Sequence, residues 1–389
     1  MRRKKQQKMK LAYNFSTILV LVMSLFVSTA YASNTITINK ITKQEYTKSI
    51  KKDFGISANG TVSLYNKYGK MDIKTWDKNR VKIDIRITVN ASSESDAQEV
   101  FDRISFDFSN GGDFVKAETQ IASKSSSWWG SWGDNDKTDF NIDYDVYMPP
   151  TATLDLSNKY GDVYVAELAR DANINVKYGN FRLDGVGQNL NVTLGYGNGT
   201  IVKAARTEAK ISYSKFRMQE GGDMNFDTKY SKIGIDKAGD IRVNSSYDTY
   251  DVGRVRDYHS TGKYDNVSIG TAENITAVSK YTDFSVGSIK NSADFDLTYG
   301  GARIEKVADG FSEMRLSGRY ADYKVKVEQG ASYHLDASAN YAGIRYPSPL
   351  QVTYEKDQGT SHRVEGYINT KGARSVIKAN LSYGGLKVD

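Results

Sequence analysis

Residues 154–200 read LDLSNKYGDVYVAELARDANINVKYGNFRLDGVGQNLNVTLGYGNGT, and three versions of one word, KYGD, KYGN and GYGN, set their rhythm. The tyrosines of that word, Tyr160, Tyr178 and Tyr196, stand 18 residues apart. The series continues through Tyr213, Tyr230, Tyr247, Tyr264, Tyr281, Tyr299, Tyr320 and Tyr341 in steps of 17, 18 or 21 residues. Tyr68 (NKYGK) and Tyr383 (LSYGG) carry the word outside this array. A fixed period of that size marks a repeat architecture.

Each period has the same internal plan. Counting from the tyrosine, positions −6, −4 and −2 are apolar or small, as in Leu190, Val192 and Leu194. Positions +3 and +5 are apolar again (Val163/Val165, Phe181/Leu183, Phe216/Met218, Ile233/Ile235, Phe284/Val286), and +8 is small or aliphatic. Alternation with period two is a strand signal, and its parity flips across the tyrosine, which calls for a corner there. The glycine after the tyrosine, as at Gly161, Gly179 and Gly197, suits a residue with positive φ. Asp or Asn at −7, as at Asp171 and Asn189, marks a second corner.

One such unit cannot bury its apolar side alone, but stacked copies can. The chain is therefore expected to be all-β: a parallel β-solenoid, or β-helix, with rungs of about 17–21 residues. Counted from the −2 side, parity places the tyrosines in the inward set, as a ladder with one ring above another at about 4.8 Å. An outer-membrane barrel would show longer strands of unbroken parity, and propeller blades need about twice the period.

Four segments follow. Residues 1–32 read as a signal peptide: a basic start, an apolar run from Phe15 to Val27, and Ala30-Tyr31-Ala32 as a cleavage word. Residues 33–150 hold a first rung around Tyr68 and a small α/β insertion that caps it. In that insertion Val81–Val89 alternates as a strand and Ala97, Val100, Phe101 and Ile104 recur at helical spacing. Residues 151–346 are the regular array, bracketed by Pro149, Pro150, Pro347 and Pro349, the only prolines. Residues 347–389 supply a C-terminal rung and cap.

The 389 residues contain no cysteine, which excludes disulfides, thiolate metal sites and a lipobox. Removing the six cations of the leader from a formal net charge of +7 leaves +1, so no nucleic-acid footprint is expected. No later stretch is apolar enough to span a bilayer as a helix.

The early YNKYGK pair, a polar insertion, then IDYDVYMPP and LDLSNKYGDVYV resemble the bacterial "putative adhesin" family of β-solenoid domains of unknown function, related to the head-GIN auto-transporter adhesin type. The resemblance covers roughly residues 50–389 and implies export and a solenoid fold. It carries no catalytic residue over.

Little else points to chemistry. His259, His334 and His362 lack metal-ligand spacing, so no metal or cofactor is expected. Asp162, Asp283 and Asp322 at +2, with Asp248, Asp251 and Asp265, could form the carboxylate pair of a polysaccharide-cleaving enzyme, but turn chemistry explains them better. The basic −1 column (Lys159, Lys177, Lys229, Lys263, Lys280, Arg319) is expected outside, interleaved with the acidic +2 column as a solvated face. Trp128, Trp129 and Trp132 crowd a polar loop and are the candidate partner-binding residues. The expectation is an exported, non-enzymatic, monomeric binding protein of periplasm or outer surface. Its partner would be an envelope protein or a surface glycan. The alternatives are a periplasmic structural or signalling accessory and, with less support, an enzyme acting on polysaccharide.

Overall fold

The computed structural model describes residues 43–123 and 139–389. Residues 1–32, read from the sequence as a signal peptide, and Trp128, Trp129 and Trp132 lie outside the described residues. The chain is an all-β solenoid in which, between Thr153 and Val327, successive copies pair in parallel. Ala172 faces Leu190, Phe216 faces Ile233 and Tyr258 faces Ile275 in register. One hydrogen-bonded sheet links all the strands.

Periodicity places the core where the sequence puts it. Leu190, Val192 and Leu194 are buried, as are Phe216/Met218, Ile233/Ile235 and Phe284/Val286 at +3 and +5. Leu168, Val186, Val255 and Ile289 fill the +8 column. Burying one such side chain stabilises by about 1.5–3 kcal/mol, and stacking repeats that gain rung after rung. The −7 corner is held by side chains that reach across rungs. Asn189 donates both its backbone N–H and its amide to Asp171 Oδ1 at 2.9 Å, and the Asn274 amide donates to Asp257 Oδ1 at 2.6 Å.

Both ends are closed out of chain order. At the N-terminal end Phe114–Ile121 pairs in parallel with Thr61–Lys67, and Asp139–Met148 with Met71–Thr75. The insertion thus builds a rung ahead of the first copy. Helix Glu94–Arg103, capped by the Ser93 hydroxyl accepting from Asp96 N–H, buries Ala97, Val100 and Phe101 and packs mainly on Arg80–Ala91. Arg80–Ala91 and Gln44–Gly55 extend the sheet antiparallel.

At the other end Ser375–Ser382 slots between Glu313–Val327 and Tyr333–Asn340. Ser361–Ile368 and Gln351–Gln358 then cover the last edge antiparallel. The outermost strands carry Lys48, Lys51, Lys52 and Asp53 at one end and Glu355, Lys356 and Asp357 at the other. Such charge discourages edge-to-edge growth. No helix among the described residues is long and apolar enough to cross a membrane.

Candidate functional site

Thirteen tyrosines form one continuous stack. In spatial order they are Tyr68, Tyr160, Tyr178, Tyr196, Tyr213, Tyr230, Tyr247, Tyr264, Tyr281, Tyr299, Tyr320, Tyr383 and Tyr341. Neighbouring ring centroids lie 4.7–5.1 Å apart with planes within 15° of parallel. Phe140, from the inserted rung, meets Tyr68 edge-on at 5.5 Å and closes one end.

The ladder is where the sequence predicts it, but on the other side of the wall. Every one of these tyrosines is 40–60% exposed, so the inward placement is wrong. Each takes φ between 51° and 62°, and the glycine that follows it is not the residue that turns the chain left-handed. The corner is the tyrosine itself. A left-handed residue lets −1 and 0 both face out and +1 face in, which reconciles the two parities. That conformation costs a non-glycine residue about 1–2 kcal/mol. Ring stacking returns about 0.5–1.5 kcal/mol per pair.

Position +1 is consequently an inward, crowded place. A Cβ at Gly161 would sit 1.9 Å from Gly69 O, and one at Gly197 1.8 Å from Gly179 O. Glycine is there for the close approach of successive backbones. Further along, the place is taken by Ser214, Ser231, Asp248, Asp265 and Thr282, all buried. Each side chain accepts from the backbone N–H of the +1 residue one rung earlier. Ser214 Oγ accepts from Gly197 at 3.2 Å, Asp248 Oδ1 from Ser231 at 2.6 Å and Asp265 Oδ1 from Asp248 at 2.8 Å. The second oxygens of the two aspartates accept from the Thr228 and Ser245 hydroxyls. Burial is the main cause that pushes both carboxyls above the usual aspartate value.

The ladder's faces are closed by its own neighbours, so only ring edges and hydroxyls reach solvent. On its −1 side run Lys67, Lys159, Lys177, Lys229, Lys263, Lys280 and Arg319, with Gly, Ser, Thr or Asn in the other rungs. None of the seven is in an ion pair with another described residue. Lys159 Nζ lies 4.7 Å from the Tyr160 ring centre, and the Arg319 guanidinium 5.7 Å from that of Tyr320. The expected interleaving with the acidic +2 column does not occur. The two columns flank the ladder on opposite sides, and the acids are used locally. Asp162 Oδ1 accepts from Asn180 N–H at 2.8 Å, and Asp322 Oδ1 from Gly385 N–H at 2.7 Å.

Beyond the −1 column the outward −3 and −5 residues line an open groove of about 740 Å³. Asn225, Asp227, Arg242, Asn244, His259 and Thr261 form its middle. The side-chain amides of Asn225 and Asn244 bond to no other described residue.

The other candidates do not come together. Asp248 and Asp265 are inside the wall, whereas Asp251 and Asp283 are exposed outside it. His259 is in the groove, and His362 Nε2 lies 3.1 Å from Glu355 Oε1 in the terminal hairpin. No group of three metal-ligating side chains occurs among the described residues. Trp128, Trp129 and Trp132 fall outside them. The exposed ladder and its unpaired cations are the features the sequence reading misjudged. Counting parity back from +3 instead of forward from −2 would have found them.

No protein-family model and no curated protein matches the chain. The solved structures to which it is similar include the following three. A "putative cell adhesion protein" from Clostridium sporogenes is 9% identical, covers 88% of this chain and 99% of its own, and has a TM-score of 0.19. A "putative adhesin" from Parabacteroides distasonis is 11% identical, covers 72% and 97%, and scores 0.31. A "putative lipid binding protein" from the same species is 12% identical, covers 71% and 95%, and scores 0.30.

Proposed function

We propose that this chain is an exported, adhesin-like binding protein of the cell envelope or surface, acting without catalysis. One observation carries the reading. A single line of thirteen exposed tyrosines runs along the solenoid from Tyr68 to Tyr341. At roughly 100 Å² per ring the line presents on the order of 1,000 Å² of aromatic surface, more than an ordinary monomer leaves uncovered. The head-GIN likeness read from the sequence belongs to the same proposal.

The test is labelling with a membrane-impermeant amine reagent, which the exposed lysine column should accept, alongside binding of the purified protein to whole cells. Labelling of intact cells and saturable binding support a surface adhesin. Labelling only after the envelope is permeabilised moves the protein to the periplasm and favours the accessory role. Failure to bind either cells or isolated envelope overturns the binding reading altogether.

A further inference from the structure

We propose that the −1 flank of the tyrosine ladder and the groove beside it bind a linear acidic polysaccharide laid along the solenoid axis. The inference rests on the binding-protein reading and names its ligand class.

Charge is the first argument. Seven cations and no anion occupy the −1 column, although the chain without its leader is nearly neutral. On the opposite flank Lys70, Lys215 and Lys232 offset Asp162, Asp283 and Asp322. Of the two columns that flank the ladder directly, only the −1 column therefore carries net positive charge. Lys159 and Lys177, like Lys263 and Lys280, are register partners or one period apart, about 5 Å along the axis. Unpaired like charges that close repel by about 1 kcal/mol in water, and a polyanion converts that cost into attraction.

Shape is the second. The feature is a line, one residue wide, that matches an extended polymer and not a planar bilayer. Its ring faces are occupied by neighbouring rings, so bases have no platform on which to stack, and single-stranded nucleic acid is disfavoured. What remains outward is a row of phenol edges, with the amides of Asn225 and Asn244, the Thr261 hydroxyl and the cations Lys210 and Arg242 in the groove, beside the carboxylates Glu208 and Asp227. Those groups pair with sugar hydroxyls and carboxylates. Along the groove the −1 column runs Gly195, Ser212, Lys229, Ser246, Lys263 and Lys280, so its small residues leave room for a sugar ring between the cations.

The test uses the full chain purified after export and three probes: polygalacturonate, single-stranded oligothymidylate, and vesicles containing phosphatidylserine, with dextran as the neutral control. Retention on polygalacturonate that weakens steeply with salt is expected, with no retention on dextran. The triple variant Lys229→Ser, Lys263→Ser, Lys280→Ser should lose about tenfold or more in affinity. Lys215→Ser with Lys232→Ser, on the other flank, should change it less than about twofold. Near-ultraviolet circular dichroism of the ladder confirms that both variants are folded. Equal losses in the two variants, equal binding to dextran, or tighter binding to the oligonucleotide or the vesicles would overturn the assignment. Binding to cells that persists without any binding to polygalacturonate sinks this inference and spares the adhesin reading. Loss of both sinks both.

Discussion

Tyr383 lies flat on Tyr320, ring centroids 4.8 Å apart, although 63 residues separate them in the chain. Tyr341 covers its other face at 5.0 Å, so the last copy in sequence is the penultimate one in space. The strand Ser375–Ser382 is thereby paired on both sides.

Removing residues 375–389 should therefore do more than shorten the solenoid. It would strand Tyr333–Asn340 and expose the partners of Ile377, Leu381, Leu386 and Val388, all now buried. The expected loss is roughly 6–12 kcal/mol at about 1.5–3 kcal/mol per side chain. Leu381→Ala alone should cost about 2–5 kcal/mol. A truncated chain that melts within a few degrees of the full one would refute the inserted-rung arrangement.

The left-handed corner makes an unusual prediction for Tyr264, whose φ is 59°. Tyr264→Phe should be nearly neutral, since stacking is retained and its hydroxyl bonds to no other described residue. Both Tyr264→Ala and Tyr264→Gly lose the stack, but glycine escapes the left-handed strain. The glycine variant should therefore be the more stable of the two by about 1 kcal/mol in urea melts. In an ordinary strand the order would be reversed, so an alanine variant that wins would sink the corner assignment.

Inside and outside can be separated by charge. Ile235 and Phe284 are 1% and 3% exposed. Ile235→Asp or Phe284→Asp should cost several kcal/mol through an unpaired buried carboxylate. Lys263→Ala should change stability by less than about 1 kcal/mol. Similar thermal melts for all three would contradict the register.

The fold was legible because period and parity are local properties. Val163, Val165 and their equivalents repeat at fixed offsets, and stacking turns that directly into a core. The ladder's side was not legible from the −2 count alone. It depends on one backbone angle at Tyr160 and its equivalents, and a bulky residue is the one a reader least expects in the left-handed region. The order Tyr320, Tyr383, Tyr341 was hidden for another reason. Strand pairing between distant segments leaves no periodic trace when a hairpin intervenes. The unpaired state of Lys177 or Lys280 could be learned only once the side of the ladder was known.

The buried carboxylates give the protein a pH signature of definite sign. Asp248 and Asp265 are 3% and 6% exposed. Burial raises both above 3.8, and the Asp265 charge adds to the rise at Asp248. Hydrogen bonds from the Ser231 and Asp248 N–H groups and from the Thr228 and Ser245 hydroxyls oppose the rise without cancelling it. The folded chain thus holds these protons more tightly than the unfolded one. Below 3.8 both states are protonated and nothing is lost. As pH climbs from there through the raised folded values, the unfolded state ionises first and stability falls. Asp265→Asn removes one of the two buried charges and relieves the other. Its Oδ1 can still accept from Asp248 N–H, and its Nδ2 can donate to Ser245 Oγ. The variant should match or exceed the parent at pH 7 and show a smaller drop in melting temperature between pH 4 and pH 7. Asp265→Leu, which strands the Asp248 N–H, should be destabilised by about 1–3 kcal/mol at both. An asparagine variant with the parent's full pH drop would mean that the ionisation of Asp265 lies outside this window.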